Sequence, residues 1–110
     1  MKQQHQQLAS GRWKELSFFE QMANIGSEVE RAIKWKNKNN ADYSRQAFER
    51  ALELLDLSIR SEKNKQKLKE MTRLREVLAD YFAFENNYKS SDQKWQNYFY
   101  GFNFAARSRG

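Results

Sequence analysis

The stretch Asp42–Arg60, DYSRQAFERALELLDLSIR, most constrains what this chain can fold into. At about 100° per residue, Tyr43, Ala47, Phe48, Ala51, Leu52, Leu54, Leu55 and Ile59 fill one half of a helical wheel, and Arg45, Glu49, Glu53, Asp56 and Arg60 crowd the other. A helix patterned this way buries about half its circumference, so it requires other elements to pack against it. Asp42 stands where an N-cap acceptor is wanted, and the pairs Arg45/Glu49 and Asp56/Arg60 have helical spacing, worth ~0.3 kcal/mol each on an exposed face.

Three further segments carry the same period. S-F-F-E places Ser17 at an N-cap with Glu20 at the capping-box spacing, which starts a helix running to about Lys36. Its stripe is Phe18, Met22, Ile25, Val29, Ala32 and Ile33, with Gly26 beside it permitting close approach of a neighbour; Trp35 stands off the stripe among Asn24, Glu28 and Arg31. After the polar connector SEKNK, residues 61–65, an apolar arc of Leu68, Met71, Leu74, Val77, Leu78, Tyr81, Phe82 and Phe84 predicts a third helix to about residue 84. Arg75 projects into that arc, between Leu68 and Phe82, where a cation must either snorkel or meet a carboxylate. Glu49 or Glu53 is the expected partner in a buried ion pair, because an unpaired buried charge is expensive. A connector at 85–92 leads to a fourth helix over about 91–107, with Ser90 and Gln93 at capping-box spacing. Trp95, Tyr98, Phe99, Phe102, Ala105 and Ala106 share one face of it, whereas Tyr100 and Phe104 point the other way.

A chain of 110 residues with no Pro and only 4 Gly suits a few long helices with polar connections better than sheets with tight turns. NKNNA, residues 37–41, reads as one such turn, its asparagines tolerating the left-handed conformation of a helix C-cap. Helices of roughly 20, 19, 23 and 17 residues joined by short loops predict an all-α fold, an antiparallel four-helix bundle running up-down-up-down. The domain is expected over residues 12–110, preceded by a Gln-rich flexible arm at 1–11 that has too little apolar surface to order. The N-terminal stretch lacks the apolar core of a signal peptide, no segment reads as a membrane span, and the absence of Cys suits a reducing compartment, so the expected location is cytoplasmic.

NIG, with Ile25 and Gly26, and AFERALEL, with Ala47, Phe48 and Ala51, resemble the helix pair of a tetratricopeptide unit. The pair occurs once, its spacing exceeds the roughly 34-residue repeat, and the terminal Pro is missing, so no repeat array is implied. From Trp13 to Arg107 the chain also resembles a group of uncharacterised small prokaryotic all-helical proteins. That likeness implies a compact helical domain and brings no function with it. The helical nucleases of prokaryotic toxin pairs share the bundle architecture, but their catalytic members carry an Arg followed shortly by a His. Here the sole histidine, His5, precedes every Arg.

The same lack of an ordered His or Cys removes nucleophilic triads and helical metal sites, and no Gly-rich phosphate loop is present. Glu49, Glu53 and Asp56 stack on one side of a helix, but a solvated charge face laced to Arg45 and Arg60 explains them better than acid–base chemistry. No enzyme, cofactor, metal or small-molecule ligand is therefore expected. The expected role is a non-enzymatic helical module that self-associates as a homodimer or binds another protein. Trp35, Tyr100 and Phe104 are its candidate interface, because large apolar groups outside a core mark interfaces. The alternative is nucleic-acid binding. Lys and Arg outnumber Asp and Glu by 20 to 14, and a bundle would gather Arg60, Lys63, Lys65, Lys67, Lys69, Arg107 and Arg109, with Arg12 and Lys14, at one basic pole.

Overall fold

The computed structural model describes residues 11–109, in which five helices and no strand occur: α1 (Trp13–Glu15), α2 (Phe18–Asn37), α3 (Ala41–Ser61), α4 (Lys65–Ala83) and α5 (Asp92–Arg109). The arm expected over 1–11 falls, apart from Gly11, outside them. The four expected long helices are present, and a one-turn helix precedes them.

Local chemistry sets most of the boundaries. Ser17 caps α2 with the full reciprocal box: its hydroxyl accepts from the Glu20 N–H, and the Glu20 carboxylate accepts from the Ser17 N–H at 2.8 Å. Asn39 takes the left-handed conformation (φ 62°) that ends α2, as the asparagine-rich turn predicts. The turn is so tight that the cap of α3 falls on Asn40 rather than Asp42. The Asn40 side chain accepts from the Tyr43 N–H at 3.0 Å, leaving Asp42 in the first turn, where it pairs with Arg45. Asn64 caps α4. At α5 the Ser91 hydroxyl accepts from the Lys94 N–H, in place of the expected Ser90, because Ser90 is tied through both its backbone groups to the Asn86 side chain.

α2 is the central element, packed along α3 on one side and α5 on the other, while α4 lies mainly against α3. The core joins Met22, Ile25, Val29 and Ile33 of α2 to Leu54 and Leu55 of α3, Met71, Leu74 and Leu78 of α4, and Trp95 and Phe99 of α5. Gly26 admits Phe99 to the α2 backbone: a Cβ there would stand 2.7 Å from the Phe99 ring. Tyr43 and Phe84, assigned from the pattern to apolar faces, are instead 50 % and 74 % exposed. Each stands at a helix end, Tyr43 in the first turn of α3 and Phe84 just past α4.

The Trp13 segment is fixed by polar contacts. Trp13 is fully buried, its Nε1 donating to the Ser58 Oγ at 3.0 Å, while Ser58 donates to the Gln21 Oε1 at 2.7 Å and Gln21 Nε2 donates back to the Trp13 carbonyl at 3.0 Å. Every polar group in this ring has a partner, which is the condition for burying it cheaply.

Candidate functional site

α5 has aromatic residues on two sides. The side toward α2 is a continuous ring cluster: Trp95 stacks on Phe99, Tyr98 meets Phe99 edge-on, and Phe102 reaches Phe18 at 5.9 Å. On the other side Tyr100 and Phe104, one turn apart, are 70 % and 63 % exposed.

Between α2 and α5 runs a groove of about 780 Å³, with Gly26, Glu30, Arg31, Lys34 and Trp35 on one wall and Trp95, Gln96, Phe99, Tyr100 and Asn103 on the other. Two of the three candidate interface residues, Trp35 and Tyr100, therefore share a groove, and Phe104 follows Tyr100 along α5. Trp35 is partly covered by its own chain, since Tyr43 of α3 packs edge-on against it at 4.9 Å and Lys34 and Lys38 lie near its ring. Trp95 is 6 % exposed, and its indole N–H has no hydrogen-bond partner among the described residues. A buried donor left unpaired costs about 1–3 kcal/mol.

At the C-terminal end of α2, next to Trp35, three helix ends are tied together. Lys36 Nζ donates to Asp92 Oδ1 at 2.7 Å and to the Tyr81 hydroxyl at 2.9 Å, Asn37 donates to Asp92 Oδ2, and Tyr81 donates to Asp92. Burial opposes ionisation of Asp92, but hydrogen bonds from Lys36, Tyr81 and Asn37 outweigh it and hold the carboxyl below its ordinary range. Burial likewise opposes the charge on Lys36, and its bonds to Asp92 and Tyr81 prevail, raising it. Tyr81 is raised by burial and by its bond to Asp92. Sequence reasoning missed this clasp, because its members come from three segments with no common spacing.

The ion pair expected at Arg75 forms with a different acid. Arg75 Nε donates to Asp56 Oδ1 at 2.8 Å, and the two side chains are 43 % and 40 % exposed. Neither Glu49 nor Glu53 is the partner, and the pair is not buried. Asp56 lies nearer the α3–α4 turn than either glutamate, and the Arg75 guanidinium displaces Arg60 as its counter-charge. Glu49 is exposed, and Glu53 is half-buried with Oε1 enclosed and unpartnered among the described residues. The more enclosed pair is Glu28 with Arg50, 11 % and 18 % exposed, with Arg31 sharing the same carboxylate oxygen. By its pattern Glu28 belongs to the polar side of its helix. That side faces α3, which the wheel alone could not show.

The basic residues Arg60, Lys63, Lys65, Lys67, Lys69 and Arg107 are all exposed, as are Arg12 and Lys14; the side chain of Arg109 lies outside the described residues. Contacts bring the segments that carry them to one end of the molecule. Trp13 bonds to Ser58 near the end of α3, Lys67 lies over Phe18 at 5.1 Å, and Phe18 meets Phe102 of α5. Lys67 is thereby turned toward the protein, whereas Lys65 and Lys69 line a hollow on α4 with Gln66, Glu70 and Arg73.

Among the described residues, no group of three His, Cys, Asp or Glu side chains could hold a metal, and no helix is long and apolar enough to cross a membrane. No family model matches the chain, and comparison with curated proteins and with solved structures returns no match either.

Proposed function

We propose that this protein is a non-enzymatic helical interaction module that self-associates in the cytoplasm, its four long helices forming an antiparallel up-down-up-down bundle and its contact face running along α5 and the α2–α5 groove. The observation that carries the reading is the pair Tyr100 and Phe104, exposed one turn apart beside a groove whose wall holds an unpaired indole N–H. Aromatic side chains bury about 150–250 Å² each. Two such rings from each of two copies supply roughly half of a standard interface of about 1,600 Å².

A two-fold arrangement uses the same patch on both copies, so each α5 would lie against the other's groove. Trp35 adds a third ring at one end of the groove, and polar Gln96 and Asn103 among the aromatics provide hydrogen-bonding groups. The test is the double variant Tyr100→Ser/Phe104→Ser. Anchoring aromatics dominate interface energy, so it is expected to be a folded monomer with unchanged helicity. Unfolding of the variant would instead assign both residues to the core of one chain.

A further inference from the structure

A separate surface lies on α4, on the side facing away from α3. Lys65, Lys69 and Arg73 follow one another at four-residue steps along it. All three are exposed, and none has a carboxylate at ion-pair distance among the described residues. Of the two acids between and beside them, Glu70 is engaged elsewhere, accepting from the Tyr98 hydroxyl at 2.7 Å, and Glu76 is exposed and lines the cleft that also holds Tyr88. No acidic residue occupies the first turn of α4, so its lysines stand where the helix macrodipole disfavours cations, and local helix stability does not explain them.

The stripe ends at an aromatic shelf. Asp80, farther along the same side of α4, is buried because the α4–α5 loop folds back over it. Its carboxylate accepts the N–H groups of Asn87 and Tyr88 at 2.8 and 3.0 Å. That anchor places the Tyr88 ring 5.6 Å from the Arg73 guanidinium carbon. Tyr88 remains 44 % exposed, and Phe84, 74 % exposed, lines the same cleft. Arg73 thus joins a cationic track to two open rings.

We propose that this face of α4 binds single-stranded nucleic acid, the phosphodiester backbone running along Lys65, Lys69 and Arg73 and bases stacking on Tyr88 and Phe84. A charged track beside open aromatic rings is the arrangement single strands require, since every base has a face to stack and every linkage a charge. A duplex keeps its bases stacked and would leave the shelf unused. An anionic membrane is disfavoured because the apolar stripe of α4, Met71, Leu74 and Leu78, is already buried and cannot insert. The face is distinct from the α2–α5 groove, so the proposal stands whether or not the chain self-associates.

The experiment is fluorescence anisotropy of a labelled oligouridine of about 12 nucleotides, titrated with the full chain across a salt series. Three phosphate contacts give a log–log salt slope of about −2. Lys65→Gln/Lys69→Gln/Arg73→Gln is expected to abolish most of that slope. Phe84→Ser/Tyr88→Ser is expected to weaken binding on the order of 10-fold or more while leaving the slope in place. Circular dichroism of both variants checks that they remain folded, and Tyr100→Ser/Phe104→Ser is expected to bind as the parent does. Absence of binding at low salt overturns the proposal. So does a triple variant that binds unchanged, a preference for duplex of the same sequence, or retention by vesicles of anionic lipid without retention of oligouridine.

Discussion

The Phe99 ring of α5 occupies the space that a Cβ on Gly26 of α2 would need, with Cδ1, Cγ and Cβ of Phe99 at 2.7 to 2.9 Å from that position. The approach of α5 to α2, and so the groove between them, depends on this absent methyl group.

Gly26→Ala sets two effects against each other. The helix gains about 1 kcal/mol of propensity, while forcing a methyl into a packed contact costs about 1–3 kcal/mol. Phe99 is 4 % exposed and held by Trp95, Tyr98 and Phe102, so it cannot yield cheaply. A net loss of about 1 kcal/mol is expected, read as a lower urea midpoint; an unchanged or higher midpoint would show that α5 shifts freely.

Ser58→Ala removes the hydroxyl that both accepts from Trp13 Nε1 and donates to Gln21 Oε1. Two buried polar groups then lose their partner, at about 1–3 kcal/mol for an unpaired group. Chemical denaturation is expected to show a loss of at least about 1–3 kcal/mol, since two such groups are involved, with Trp13 fluorescence shifting as its segment loosens.

Asp92 carries a pH signature. Its carboxyl is held below the ordinary range in the folded chain, so the stability it contributes is present above the unfolded value near 3.9 and is lost as pH falls through the lower folded value. Lys36 and Tyr81 are raised, so their contributions are present below their ordinary values of 10.5 and 10.0 and fade as pH rises past them. The Lys36 and Asp92 side chains are 40 % and 28 % exposed, and solvent screening keeps the pair at about 1 kcal/mol or less. Asp92→Asn is expected to be less stable than the parent near neutral pH, with the gap closing below about pH 3.9. A gap independent of pH would contradict the clasp.

Arg75→Met tests the other cross-helix pair. With both partners about 40 % exposed, the Arg75–Asp56 bond is worth at most about 1 kcal/mol, not the several kcal/mol of a broken buried pair. A denaturation midpoint lowered by more than that would show the guanidinium to be more deeply engaged.

The elements readable from sequence were those whose signals are local. The Ser17 box, the left-handed Asn39 and the apolar stripes of α2, α3 and α4 each depend on residues within a turn or two of one another. Gly26 was readable as a close approach, though not Phe99 as its occupant. Tertiary placement decided the rest. Glu28 is polar by pattern yet buried because α3 presents Arg50 to it, and Asp80 lies away from α3 yet is buried because a loop returns over it. Trp13 gave no periodic signal, since a single turn is too short to have a period. At the candidate interface, the failure of Tyr100 and Phe104 to fit a stripe was legible, and their exposure agrees with it. The groove beside them required the positions of two helices.

The mass of the wild-type chain in solution tests the central claim most directly. Light scattering at micromolar concentration, compared with the 13.2 kDa of one chain, is expected to return twice that mass, falling to the monomer for Tyr100→Ser/Phe104→Ser. A wild type that scatters as a single chain at that concentration would contradict self-association and leave Tyr100 and Phe104 without the role assigned to them.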